Sequence, residues 1–254
     1  MDFSAPTLDY AWEFARPALG FAVQYKHFIL ALCLFSPTVS PAFAQETATD
    51  AAIWLAPPNT VTPDGLPALG KWMLTSAGVP SDWLGEIYRG KNLREPINVI
   101  LVDHAASDAA DAVTRLISAS TAAGYPVREG HSTGYQAAMD GQLHAQLPTG
   151  NNVAFSNFIY ELDNNHGRIF GPVAQGDAFV FIGAFSREDV DPLADPGHQY
   201  GSFNQARDDF TQNLDESTDY KITRFVDMQN GLIGDPKFTT GDHDGIAVLV
   251  EAAK

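Results

Sequence analysis

The apolar run Ala178 to Phe185 (AFVFIGAF) is hydrophobic on both alternating faces, the pattern of a central strand covered on each side. Ile97 to Val102 (INVILV) is a continuous, β-branched run after Pro96 and predicts a second buried strand, closed by Asp103-His104. From Ser107 or Asp108 the period lengthens. Ala109, Val113, Leu116, Ile117 and residues 120–123 share one broad helical face, with Gly124 as the stop. A second helix is signalled by the capping box of Ser202 and Gln205, followed by the stripe Phe203, Ala206, Phe210 and Leu214.

Shorter patterns fill the intervals. Val153 to Leu162 alternates, with Phe158, Tyr160 and Leu162 on one face, and reads as a half-buried strand. Asn164-Asn165 suits a tight turn before a short strand at Gly167 to Phe170, in which an extended backbone points His166, Arg168 and Phe170 the same way. Lys221 to Val226 and Ile246 to Val250 read as strands, separated by turns at Asn230-Gly231 and at Asp242 to Gly245. Nearer the amino end, Leu69 to Ala77 and Ser81 to Leu93 read as two short helices, with Trp83, Leu84, Ile87 and Tyr88 at helical spacing. Residues 45–68 are punctuated by Pro57-Pro58, Pro63-Asp64-Gly65 and Pro67 and read as an extended arm.

The order β, α, several β, α, β predicts a single α+β domain over residues 95–254. Its mixed or antiparallel sheet carries two main helices, closest to a ferredoxin-like or split βαβ arrangement. Residues 69–94 are expected as a short helical extension of it.

Composition adds a compartment. Lys26 and His27 precede a short apolar run, Phe28 to Phe35, and the segment ends in Ala42-Phe43-Ala44, so residues 1–44 read as a secretory signal cleaved after Ala44. Cleavage leaves 210 of the 254 residues and removes Cys33, the one cysteine, so no disulfide is expected. It also removes three of the 31 acids and two of the 15 bases, leaving 28 against 13, a balance of −15. Such a field repels phosphate backbones and anionic lipid, which argues against nucleic-acid partners. The expected home is a bacterial periplasm or the medium, with no permanent membrane span once the signal is gone.

The candidate chemistry centres on residues 164–188, with His198 joining from just before the second helix. His166, Arg168, Arg187, Glu188 and His198 form a candidate polar patch for an anionic or glycan ligand of the envelope, or for a protein partner. A metal-assisted hydrolase through His166 and His198, with Glu188 or Asp103 as the acid, is the alternative; two histidines without a short ligand motif do not by themselves call for a metal or any other cofactor. Gly130-His131-Ser132-Thr133-Gly134 matches the G-x-S-x-G elbow, which would make Ser132 a nucleophile served by His198 or His243. Against it stands the weak strand before the motif. Asp242 to Gly245 resembles the start of a calcium loop without its remaining ligands and is read as a turn.

The segments NVILV (98–102), AGY (123–125), NHGRIF (165–170), FVFIGAFSRE (179–188) and HQYGSFNQARDDF (198–210) together resemble the carboxy-terminal domain of LssY-type envelope proteins, over residues 96–226. Asn165 and Gln199 depart from that pattern, which places a histidine at each. His166, Arg168 and His198 match it. The resemblance implies a domain and an envelope location, not a reaction.

Overall fold

The computed structural model describes residues 52–193 and 197–254; the expected signal, its cleavage point and Cys33 lie outside the described residues. In chain order the strands are β1 (Thr60–Val61), β2 (Leu69–Leu74), β3 (Asp82–Tyr88), β4 (Lys91–Arg94) and β5 (Val99–Asp103). After helix α1 (Ala109–Ala122) come β6 (Val127–Glu129), β7 (Gln136–Met139), β8 (Gln142–Leu147) and β9 (Val153–Ser156). The long hairpin β10 (Asn164–Gln175) and β11 (Ala178–Val190) follows, then β12 (His198–Ser202), helix α2 (Phe203–Ser217), β13 (Tyr220–Asp227), β14 (Phe238–Thr239) and β15 (Ile246–Ala252).

Twelve strands make one sheet, curled into a half-barrel, in the order β1-β2-β7-β8-β10-β11-β5-β15-β13. β12 extends the far end of β11, while β9 pairs with β10 and carries β6. β14, β4 and β3 form a separate three-stranded sheet. This overturns the expected α+β domain of ferredoxin-like or split βαβ type with two main helices, because the chain is mostly sheet, 45% strand against 16% helix. The expected helical extension at 69–94 is β2, β3 and β4, and β2 belongs to the main sheet. Helical spacing misled there for a physical reason: Leu84 and Gly85 both take positive φ, a kink that sends Leu84 and Ile87 outward at 61% exposure while Trp83 turns inward.

The two faces of the sheet bury different partners. On one, Val99, Leu101, Ile169, Phe181 and Phe185 pack against Ala112 and Leu116 of α1 and Phe210 and Leu214 of α2. On the other, the curl brings Leu69, Met73, Ala137 and Met139 over Ile100, Phe170, Val180 and Ile182. A sheet covered on both faces needs continuous apolar strands, which is why the run at 178–185 is apolar at inward and outward positions alike. Both helices are capped as their sequences dictate: Asp108 accepts from the Asp111 N–H and Ser202 from the Gln205 N–H, contacts worth about 1 kcal/mol each. No helix of the described residues is long and apolar enough to cross a membrane.

Candidate functional site

The hairpin β10–β11 builds the site by a change of chemistry along one face. Its register pairs Phe170 with Ile182, Arg168 with Ala184, His166 with Ser186 and Asn164 with Glu188. Successive residues of a strand alternate faces, so these eight residues project from the same side. Towards the middle of the sheet they are apolar and join the curled core. Towards the strand end they become Arg168, His166, Asn164, Ser186 and Glu188, all buried. The expected turn at Asn164-Asn165 is instead the first part of β10. Gly167 lies between the two basic side chains and faces the opposite way, where a Cβ would meet the Phe185 ring at 2.4 Å.

Three other segments close the space over this polar end. From the small sheet, Trp83 donates its indole N–H to Ser186 Oγ at 3.1 Å, and Glu95, just after β4, is buried to 6% exposure. The loop after β6 supplies His131, Ser132 and Tyr135. Its Gly130 takes φ +101°, and a Cβ there would come 2.4 Å from Tyr160 Cβ, so the first glycine of GHSTG serves a close loop crossing. The result is a pocket of about 420 Å³ lined by Trp83, Glu95, His131, Ser132, Tyr135, Tyr160, His166, Arg168 and Glu188, with the exposed Leu84, Glu129 and Asn152 at its mouth.

Hydrogen bonds orient the parts. His166 Nδ1 is 2.9 Å from Asn164 Oδ1, an oxygen that can only accept, so this ring nitrogen carries the proton. The Asn164 amide nitrogen donates to Leu162 O at 2.9 Å and to Glu188 Oε2 at 3.4 Å, so one side chain steadies both a histidine and a carboxylate. His198 Nδ1 lies 3.2 Å from Glu188 Oε1, and its ring stacks on Tyr160 at 4.1 Å. The His131 and His166 rings sit 4.4 Å apart. Arg168 donates from Nη2 to Ser132 O at 2.9 Å and to Ser132 Oγ at 3.3 Å, and its guanidinium lies over the Tyr135 ring.

Three buried atoms of the pocket have no hydrogen-bond partner: Arg168 Nε, Glu95 Oε2 and His131 Nε2. Burial lowers the pKa of His131 to about 4, aided by the charge of Arg168. The same causes hold His166 well below its ordinary value. Burial raises Glu95, opposed by Arg168 and a hydrogen bond from Ser81, and burial raises Glu188, opposed by His198.

Of the expected patch, His166, Arg168, Glu188 and His198 are brought together. Arg187 is not. The pleat turns it away from Ser186 and Glu188, and it pairs with Asp189 at 2.7 Å and Asp163 at 3.2 Å. Asp103 lies elsewhere, held by Arg115 and Tyr220, so it cannot be the acid beside His166. Ser132 sits in a loop between two strands rather than at a strand-to-helix elbow, and its Oγ meets Tyr135 OH at 2.9 Å. His243 is bound to Asn230 at 2.8 Å, away from that serine's partners. The serine-nucleophile geometry is therefore not built. Asp242 accepts the Phe203 N–H at the start of α2 and Asp244 binds Arg207, so the 242–245 segment is a turn with structural acids.

Sequence reading missed His131, Glu95, Trp83 and Tyr135 as pocket residues. His131 lies within GHSTG, next to the serine that the elbow motif singles out. Glu95 and Trp83 flank or lie in the segment read as helix, which hid that they arrive at the same place. Comparison with protein-family models, curated proteins and solved structures finds no match.

Proposed function

We propose that the protein is a secreted or periplasmic envelope-binding domain whose pocket holds a polyhydroxylated ligand, a glycan of the cell envelope. The observation that carries this is the pair of unpartnered buried atoms in the lining of one pocket, Arg168 Nε and Glu95 Oε2. Leaving such groups unmade costs about 1–3 kcal/mol each. A hydroxyl group answers both, since it accepts from a guanidinium and donates to a carboxylate. Adjacent hydroxyls on one sugar ring present that combination twice. Trp83, Tyr135 and Tyr160 supply ring surface for the sugar's C–H faces. A free anion fits less well, because Glu95 and Glu188 share the pocket with Arg168 and the mature chain is strongly acidic. The apolar leader ending in Ala-Phe-Ala and the LssY-like segments support the envelope location.

Titration of the purified protein with soluble saccharide fragments of bacterial envelope, followed by calorimetry, tests the reading. Binding is expected with at least one saccharide class, weakened about tenfold or more in Arg168→Met and in Glu95→Gln. Binding of phosphate or sulfate without any saccharide would transfer the pocket to an anion and sink the glycan reading.

A further inference from the structure

We propose that His131, His166 and Glu188 form a binding site for a single divalent transition-metal ion of the zinc class. One ligand atom from each residue lies within 4.8 Å of the other two, and all three residues are buried. They arrive from the loop after β6, from β10 and from β11, so the cluster is a product of the tertiary fold rather than of local sequence.

Three features of the geometry point to a cation. First, His131 Nε2 is buried without a hydrogen-bond partner, although its ring packs against the His166 ring at 4.4 Å and an interplanar angle of 31°. With its Nδ1 proton given to Asn164, His166 keeps at Nε2 only one long contact, to Ser186 Oγ at 3.5 Å, and the His131 Nε2 beside it has none, so the two imidazoles leave lone pairs that the surrounding side chains scarcely use. Second, the ligands have the outer support that metal sites use, in which a ligating histidine donates its other N–H and a ligating carboxylate is itself held. Asn164 takes the His166 Nδ1–H and donates to Glu188 Oε2, while His198 Nδ1 stands 3.2 Å from Glu188 Oε1. Third, the donor set of two imidazoles and one carboxylate suits zinc. With three protein ligands and the fourth position facing the pocket, it has the open form of reactive zinc sites, not the closed form of structural ones. The positive charge of Arg168 works against a cation here, and the carboxylates of Glu188 and Glu95 offset it.

This replaces His198, which the sequence offered as the second histidine, by His131, and moves His198 behind the carboxylate as a positioning residue. It does not depend on the glycan reading: a metal can bind whether or not a saccharide does.

Chelator-treated full-length protein titrated with Co(II) provides the test. One equivalent is expected to bring up the visible d–d absorption of low-coordinate cobalt with nitrogen and oxygen ligands, and Zn(II) to bleach it by displacement. His131→Ala and Glu188→Gln are expected to abolish the signal, and Asn164→Ala to weaken binding about 10- to 100-fold while leaving the band shape close to native. His104→Ala, altered at a partly exposed histidine beside Glu251, is the control for surface binding and should match the unaltered protein. Circular dichroism establishes that each variant is folded. Should any site variant fail to fold, the unaltered protein still decides the matter by cobalt absorption together with a zinc-induced rise in melting temperature. Absence of both overturns the proposal, as does cobalt binding that survives in folded His131→Ala.

Discussion

Asp103 and Glu188 are buried carboxylates at opposite ends of the same stretch of sheet, one paired in register with Phe179 near the start of β11, the other near that strand's end. Asp103, at 0% exposure, is fully engaged. Its Oδ1 accepts the N–H groups of Ala105 at 2.8 Å and Ala106 at 3.0 Å, and its Oδ2 accepts Arg115 Nε at 2.7 Å and the Tyr220 hydroxyl at 3.1 Å. Glu188, at 2% exposure, has one long hydrogen bond from Asn164 and two histidines at 3.2 and 3.8 Å, and it looks into a pocket with three orphaned polar atoms. The arginines repeat the contrast. Arg207 spends its guanidinium on Asp208, Asp244 and Ile246 O, whereas Arg168 keeps a buried Nε with nothing to bind. A buried polar group is ordinarily satisfied. Where the same sheet satisfies one set completely and leaves another open around a cavity, the open set marks the place where something from outside completes it.

The largest expected effect comes from giving both carboxylates the same change. Asp103→Asn places an NH2 group where Arg115 or Tyr220 needs an acceptor, strands a partly buried charge, and should cost about 3 kcal/mol. Glu188→Gln keeps its shape and one acceptor oxygen in a site whose bonds are already long, and should change stability by under about 1 kcal/mol. Urea unfolding of the two variants, with unchanged denaturant slopes, measures the difference. Equal losses would mean that the Glu188 network is as complete as that of Asp103 and would remove the reason to seek a ligand.

Next comes the glycine that separates His166 from Arg168. In Gly167→Ala the new methyl meets the Phe185 ring, and that ring is stacked on Phe210 at 4.1 Å and held edge-on by Tyr125, so it has nowhere to swing. Overpacking of this kind costs about 1–3 kcal/mol. Because strain on one face of β10 is passed to the other, the variant should also bind cobalt more weakly than the unaltered protein. A drop in melting temperature with cobalt affinity intact would show that the core and the pocket are mechanically separate.

Some of this was legible from residues alone. The run at 178–185 reads as a doubly covered strand because every position is apolar, and the side-by-side projection of His166 and Arg168 follows from strand period once the backbone is extended. What escaped has a common cause. β7 (QAAM) and β8 (QLHAQL) carry too few large apolar residues to announce strands, and β3 carries a positive-φ kink that imitates helical spacing. Without them the strand count falls to that of a ferredoxin-like sheet, and the wall that brings Trp83 and Glu95 to the pocket has no local signature. His131 needs the long-range crossing at Gly130 and Tyr160, which no local pattern encodes.

The smallest and most specific effect belongs to Glu95. Burial raises its folded pKa above the ordinary 4.5, so the folded state holds this proton more tightly than the unfolded chain does. The stability that follows is complete below the unfolded value and is lost as pH climbs through the folded one. Asp103 makes the useful contrast again, because four donors surround it and the Glu95 Oε2 atom has none. Glu95→Gln carries no ionisation to suppress. It should therefore be more stable than the unaltered protein at neutral pH, with the advantage shrinking as the pH is lowered towards 4.5. Paired urea titrations across that interval measure it. A gap that stays constant with pH would show that Glu95 takes up no proton on folding, and a saccharide that binds only the unaltered protein would show what the unpartnered oxygen is kept for.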